Sequence, residues 1–245
     1  QANILTVATR ASTNGPFTVR EWNLEYLEDK ASWTLLGGGI DDFPPLAKKR
    51  PRGKRGTAVL WPHMARALPD QESQTDSEIN AEMNDFAKET SKHLALTFNR
   101  FLTGNTTGRR RKVKMFVNDI QLEPQDPLLR DHDNTVLSKQ RKTFVIRNEK
   151  GEEGTFYLRY AILPRKDQFR DAKEHKLAGG PRGWNAGQGF YFYRLDRLIQ
   201  GGGWSNLRAA DEHSKTARID VDLDRATDSM FRLNVSKTRV LLPKS

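Results

Sequence analysis

Lys237 is the residue of this chain best suited to meet a phosphate. It follows Phe231-Arg232-Leu233-Asn234-Val235, whose apolar residues alternate as in a half-buried strand, so its ammonium would stand at a strand end as a long-reach point charge. A lysine at a strand end is also ordinarily solvated, and both readings apply. Thr57 opens the strand-like run Gly56-Thr57-Ala58-Val59-Leu60-Trp61 and carries a hydroxyl able to reach a bound group. A β-branched residue at a strand start is equally an ordinary structural choice. Two basic clusters stand apart from these: Lys48, Lys49, Arg50, Arg52, Lys54 and Arg55, then Arg109, Arg110, Arg111, Lys112 and Lys114. Both lie among Gly, Pro and Thr and therefore read as loops. They suit phosphate-backbone contacts, which release counterions, or a solvated surface that keeps the protein soluble.

Other chemistries are poorly served. The chain has no cysteine, which removes disulfides, thiolate zinc sites and thiol nucleophiles. The five histidines, at 63, 93, 132, 175 and 213, are scattered without His-x-x-His or Glu-x-x-His spacing, so no metal site is expected. The glycine runs 37–39 and 201–203 have neither Walker nor Rossmann spacing and read as turns. Arg194 and Arg197 cannot share a strand face, so at most one points inward. Trp61 and Trp204 read as core or interface aromatics. The net charge of +10 is compatible with nucleic acid as a partner. No apolar run approaches the roughly 20 residues of a membrane span, no membrane partner is expected, and a cytoplasmic location fits the absence of cysteine.

These residues must be positioned by an α+β fold. Residues 2–10 and 17–28 read as two strands joined by Ser12-Thr13-Asn14-Gly15-Pro16, with Trp22, Leu24 and Tyr26 on one face of the second. Residues 31–36 read as a third strand and 56–61 as a fourth, around a loop spanning 37–55. A polar linker over 67–78 leads into a helix over 78–102, where Ile79, Met83, Phe86, Ala87, Leu94, Phe98, Phe101 and Leu102 follow a period near 3.6. Thr75 or Ser77 can cap its start, and Gly104 ends it. Strands follow at 112–117, 120–122, 142–147, 154–163, 189–194, 216–222 and 231–235. A short exposed helix is expected over 165–177, and a helical turn over 204–210. The expected organisation is 1–66, a linker at 67–78, and an α+β domain over 79–245.

In this order, several segments resemble the GHKL superfamily of ATPases, the gyrase, heat-shock chaperone, histidine kinase and MutL group. Gly56-Thr57-Ala58-Val59-Leu60-Trp61 resembles the Gly-Thr-x-Val-x-Trp strand that closes the nucleotide-binding sheet. Val117-Asn118-Asp119 resembles the strand ending Val-Asn-Gly that follows the long helix in those proteins, and Asp126-Pro127-Leu128 resembles the Asp-Pro that comes after this hairpin in bacterial relatives. Gly189-Phe190-Tyr191-Phe192-Tyr193-Arg194-Leu195-Asp196-Arg197-Leu198-Ile199, followed by Gly202-Gly203-Trp204, resembles a strand of MORC-like and bacterial relatives. Asn234-Val235-Ser236-Lys237-Thr238-Arg239-Val240 is similar to the Asn-Val-x-Pro-x-Lys-x-x-Val of MutL proteins, two residues shorter before the lysine and without the proline.

The resemblance implies the remnant of a Bergerat-type ATPase sheet over 1–66, followed by a ribosomal-protein-like βαβ transducer domain over 79–245. It implies that Lys237 senses the γ-phosphate, as the one catalytic candidate, and that Lys237 and Thr57 are the cofactor-binding candidates. ATP and magnesium would act in the full-length protein. No Asp-x-Gly-x-Gly occurs, and Glu82-Met83-Asn84-Asp85 lies on the wrong side of the Gly-Thr strand to serve as the Glu-Asn helix. The chain is therefore expected to lack an N-terminal ATP-binding half and to bind nucleotide weakly alone. A homodimer in the ATP-bound state is implied as well. The alternative is a basic nucleic-acid-binding module using Arg109, Arg110, Arg111, Lys112, Lys48, Lys49 and Arg50, with DNA as its partner. A third reading is an interaction domain with no nucleotide role.

Overall fold

A computed structural model of the chain describes residues 2–13, 15–43, 55–62, 75–108, 112–148, 150–231, 240 and 242. They form two compact units, 1–82 and 83–245. The combination of antiparallel sheet, mixed sheet and segregated helices is α+β. Among the described residues no helix is long and apolar enough to cross a membrane.

The first unit is a four-stranded antiparallel sheet in the order β3-β2-β1-β4, from β1 (Ile4–Arg10), β2 (Thr18–Asn23), β3 (Leu36–Gly38) and β4 (Gly56–Leu60). Its core is small: Ala8 and Val19 are buried beneath Phe17, Ile40, Phe43, Ala58 and Leu60. Residues 17–28 do not form one strand, as their alternation suggested. Asn23 accepts a hydrogen bond from the Tyr26 amide at 3.2 Å and starts helix α1 (Leu24–Lys30), so Leu24 and Tyr26 leave the sheet. A short polar cap followed by Leu-Glu-Tyr-Leu-Glu favours helix over strand locally.

Helix α2 (Asp76–Thr97) starts with a reciprocal cap. Glu78 accepts from the Thr75 amide at 2.8 Å, and Thr75 Oγ1 accepts from the Glu78 amide at 3.4 Å. The helix expected to run to 102 breaks at Phe98 and resumes as α3 (Asn99–Thr103). Asn99 causes the break: its side-chain amide donates to the Leu96 carbonyl at 2.6 Å and to the Tyr193 hydroxyl at 3.0 Å, competing with the backbone ladder. Gly104, at φ +83, ends α3.

The second unit is built on a six-stranded sheet. Its strands are β7 (Val136–Leu137), β8 (Lys142–Arg147), β9 (Glu153–Ile162), β10 (Gly189–Arg194), β11 (Arg197–Gly201) and β12 (Ala217–Leu223). The order is β11-β10-β12-β9, with β7 and β8 both on the outer edge of β9. All pairs are antiparallel except β10 and β12, which run parallel from Gly189↔Arg218 to Arg194↔Leu223. A two-stranded hairpin, β5 (Phe116–Val117) and β6 (Ile120–Gln121), turns on Asn118 and Asp119 with φ of 48 and 64. Short helices α4 (Ala172–Ala178) and α5 (Gly183–Gly187) precede β10. Two strands, β7 and β11, were not anticipated as separate elements, and residues 204–210 form turns rather than helix.

The two faces of this sheet differ in chemistry. Phe192, Val221 and Leu223 pack with Phe231 and Val240 into the larger apolar core. On the opposite face β10 presents Tyr191 and Tyr193, and β12 presents Arg218, Asp220 and Asp222. The expected strand 231–235 and most of the linker 67–78 fall outside the described residues, apart from buried Phe231 and the helix start.

Candidate functional site

Thr57 lies on β4 opposite Thr9 of β1, with the two hydroxyls 3.0 Å apart and exposed. Register puts Thr57 and Val59 on the same face as Leu5, Val7 and Thr9. That face is open and mixed: Leu5, Val59 and nearby Trp61 remain 37%, 50% and 57% exposed, beside Thr9, Thr18, Thr57 and Arg20. Trp61 is therefore not a core residue. Lys112 is exposed, as are Lys114 and Phe116 just after it. Lys237, Lys48, Lys49, Arg50, Arg109, Arg110 and Arg111 lie outside the described residues. Thr57 and Lys112 fall in different units. Of the two arginines weighed against each other, Arg194 turns in and pairs with Asp228, Nε to Oδ1 at 2.6 Å, while Arg197 is exposed.

The densest chemistry is one that sequence reasoning missed. Arg100 of α3 is 2% exposed and sits over the polar face of β12. Its Nη2 donates to Asp220 at 2.6 Å, and its Nη1 donates to Asp222 and, at 3.3 Å, to Asp196. Arg130 joins Asp220 from the other side at 2.6 Å and also holds Asp126, while Arg141 lies 2.9 Å from Asp222. Asp196 accepts two further hydrogen bonds from Thr107, through its amide and its hydroxyl, each at 2.8 Å. The guanidinium of Arg100 stacks over the Tyr193 ring at 3.6 Å.

Electrostatics follow from this geometry. Burial works against the Arg100 charge, but the Asp220 and Asp222 carboxylates more than offset it and its pKa rises. Burial raises the Asp220 carboxyl, while Arg100 and Arg130 pull it back down. Burial, reinforced by the Asp220 charge, raises the Tyr193 hydroxyl and keeps it neutral. Each carboxylate has a cation or hydrogen-bond donor, and the centre of the group at Arg100, Asp196 and Asp220 is buried with Arg141 at its exposed margin, so it clamps α3 to the sheet rather than meeting a substrate. The signal for it was the Arg-x-Asp-x-Asp alternation at Arg218, Asp220 and Asp222, unusual for a strand interior.

Beside this clamp the same face opens into a cleft of about 1260 Å³, walled by α2, the chain around Leu122 to Pro127, and the segment from Lys173 to Gly183. Arg218 and Tyr191 contribute to its lining. Phe169 lines the cleft and meets edge-on both His175 and Trp184, which stack on each other at 4.7 Å. Burial, then Lys166 and Lys215, lowers the His175 pKa. Such a volume suits a ligand of small-molecule or peptide size. No protein-family model matches this sequence, and a search of curated proteins finds no match either.

Proposed function

We propose that this chain is the C-terminal part of a GHKL-type ATPase module, coupling ATP binding and hydrolysis to conformational change through its second unit. The observation that carries the reading is the set of exposed apolar residues on the open face of the first sheet. Sheets bury large apolar side chains against another layer, and Leu5, Val59 and Trp61 remain exposed, away from the core of Ala8 and Val19. An N-terminal ATP-binding half would supply that layer, on the same face that presents Thr57. Helix α2 then carries the chain from the first unit into the second, and Arg100 fastens the end of that helical segment to β12.

When bound, ATP with magnesium supplies the terminal phosphate. Lys237 would meet its charge and Thr57 would offer a hydroxyl; the magnesium and adenine sites belong to the other half. Departure of the terminal phosphate on hydrolysis is a common way to release a domain between two states. The working unit in this reading is a cytoplasmic homodimer when ATP is bound. The test is ATP turnover by the longer protein with Lys237→Ala. A charged hydrogen bond to the phosphate corresponds to about 1.5–3 kcal/mol, so turnover should fall roughly 10- to 100-fold. A rate equal to wild type removes the sensor role.

A second reading, a DNA-binding surface, is favoured by Phe116, which is 55% exposed on the β5–β6 hairpin beside exposed Lys112 and Lys114. Arg109, Arg110 and Arg111 directly precede Lys112 in the chain. Neutralising those three arginines should flatten the salt dependence of duplex binding, by about one unit of slope for each DNA phosphate no longer neutralised. An unchanged slope excludes this surface.

A further inference from the structure

Arg218 is a buried arginine of the β12 face that the ionic clamp leaves out. It is 1% exposed, and its Nη1 donates to two backbone carbonyls, of Lys215 at 2.7 Å and of Ala217 at 3.0 Å. Its Nη2 is sealed from solvent, and among the described residues no acceptor meets it in good hydrogen-bond geometry. Among the described residues no carboxylate lies within ion-pair distance of it, whereas Arg100, Arg130 and Arg141 are all matched to aspartates. Burial lowers its pKa, with the Tyr191 hydroxyl offsetting part of that effect. The Tyr191 hydroxyl gives its proton to the Gly187 carbonyl at 2.7 Å, so its oxygen can offer the guanidinium a lone pair but no counter-charge. A buried guanidinium without a counter-charge is costly, and an anion relieves that cost.

The surroundings say how an anion would reach it and of what kind. Arg218 lines the cleft together with Gly179, Gly180 and Gly187. Gly187 faces Nη2 with no side chain: a Cβ built there would lie 3.2 Å from that nitrogen and 3.2 Å from the Gly179 carbonyl. Gly180 and Gly183, at φ +75 and +73, take backbone conformations that other residues rarely adopt, so this wall is glycine by requirement. Farther out the cleft is apolar, lined by Leu96, Leu122, Pro124, Phe169 and Leu177. Arg218 is thus the one fully buried cation among the described lining residues; Arg182, Lys88, Lys92, Lys173 and Lys176 stand at the more open parts of the lining, between apolar stretches that accept hydrocarbon.

We propose that the cleft binds a carboxylate-headed molecule with an apolar body, its head against the Nη2 of Arg218 beside Gly187. One buried cation is neutralised by a monoanion, whereas a phosphate dianion would leave net negative charge in the same enclosed space. Small adjustment of the 179–187 segment admits the head. This site lies wholly in the second unit and does not depend on the ATPase reading.

The test is calorimetric titration of the full chain with decanoate, with decanamide as the neutral analogue and inorganic phosphate as competitor. Decanoate should bind saturably, decanamide should bind at least about tenfold more weakly, and phosphate should not compete. Gly187→Ala should abolish decanoate binding with an unchanged circular dichroism spectrum, because the methyl group covers Nη2 and leaves the charge in place. Arg218→Gln should do the same if it folds; Gly187→Ala decides if it does not. Absence of decanoate binding, equal affinity for decanamide, competition by phosphate, or wild-type binding by Gly187→Ala overturns the proposal.

Discussion

Replacing Arg100 by Met tests whether the ionic clamp holds the second unit together. Methionine fills much of the same volume and still packs on the Tyr193 ring, so the change removes mainly charge and hydrogen bonds. Breaking a buried pair by deleting one partner costs about 3–5 kcal/mol. The lower end applies, because no carboxylate is left alone: Asp220 keeps Arg130 at 2.6 Å, Asp222 keeps Arg141 at 2.9 Å, and Asp196 keeps Thr107. A loss of about 3 kcal/mol corresponds to a melting temperature lower by roughly 6–12 °C for a domain of this size class. The control is Arg147→Met, whose partner Glu153 forms an exposed pair with side chains 72% and 54% accessible. That change should cost less than about 1 kcal/mol.

The same variant carries a pH signature. With Arg100 gone, burial acts on Asp220 with only Arg130 and Arg141 opposing it, and its folded pKa rises further above the unfolded value. A raised carboxyl pKa means the folded state binds more protons than the unfolded one, so that contribution is fully present below the unfolded pKa. It is lost as pH rises through the folded pKa. The stability gap between wild type and Arg100→Met should therefore narrow on acidification from neutrality. Urea unfolding at a series of pH values, followed by near-ultraviolet circular dichroism, measures both quantities. A loss no larger than that of Arg147→Met, or a gap independent of pH, would refute the reasoning.

Three further outcomes can be checked with single substitutions or titrations. Gly189→Ala should destabilise by about 3 kcal/mol or more in urea unfolding, since Gly189 has φ +98 and its Cβ would stand 2.2 Å from the Gly203 carbonyl oxygen. Asn23→Ala removes the cap of α1 and should cost about 1 kcal/mol, visible as faster amide exchange at Tyr26, whose N–H now bonds Asn23. Asp171 caps α4 through the Glu174 amide at 2.8 Å, which holds its pKa below the ordinary carboxylate value. Its stabilising contribution is present above the unfolded pKa and disappears as pH falls through the lowered one; amide exchange in α4 that is indifferent to acid would contradict this.

How much of this was legible beforehand depended on whether local patterning agreed with tertiary demand. Strands β8 and β10 occupy 142–147 and 189–194, where short unbroken runs of β-branched and aromatic residues left little choice. The long helix was equally plain from its period, but its break at Phe98 was not. That break depends on Asn99 reaching Tyr193, which lies far away in sequence. The 17–28 segment failed for the converse reason: three apolar residues at even spacing resemble a strand, and a single capping asparagine decides for helix. The clamp was hidden because alternating charges in a strand normally mean a solvated face. Only the packing of α3 turns Asp220 and Asp222 inward, and no sequence period announces a partner that far upstream. Lys237 and Thr57 rested on motif resemblance and the basic clusters on charge, and of these candidates Thr57 and Lys112 fall within the described residues.

Strand β12 has a consequence for how the chain avoids wrong structures. A slip of one residue against β10 would drive Asp220 and Asp222 among Phe192 and Phe231 and leave Val221 facing Arg100. A slip of two would keep hydrocarbon and charge on their proper sides, yet it would withdraw Asp220 from between two guanidiniums. Misalignment of either parity is thus penalised by a different force, solvation in one case and Coulomb attraction in the other. The central strand works as a vernier, coarse in its alternation and fine in its ion pairs.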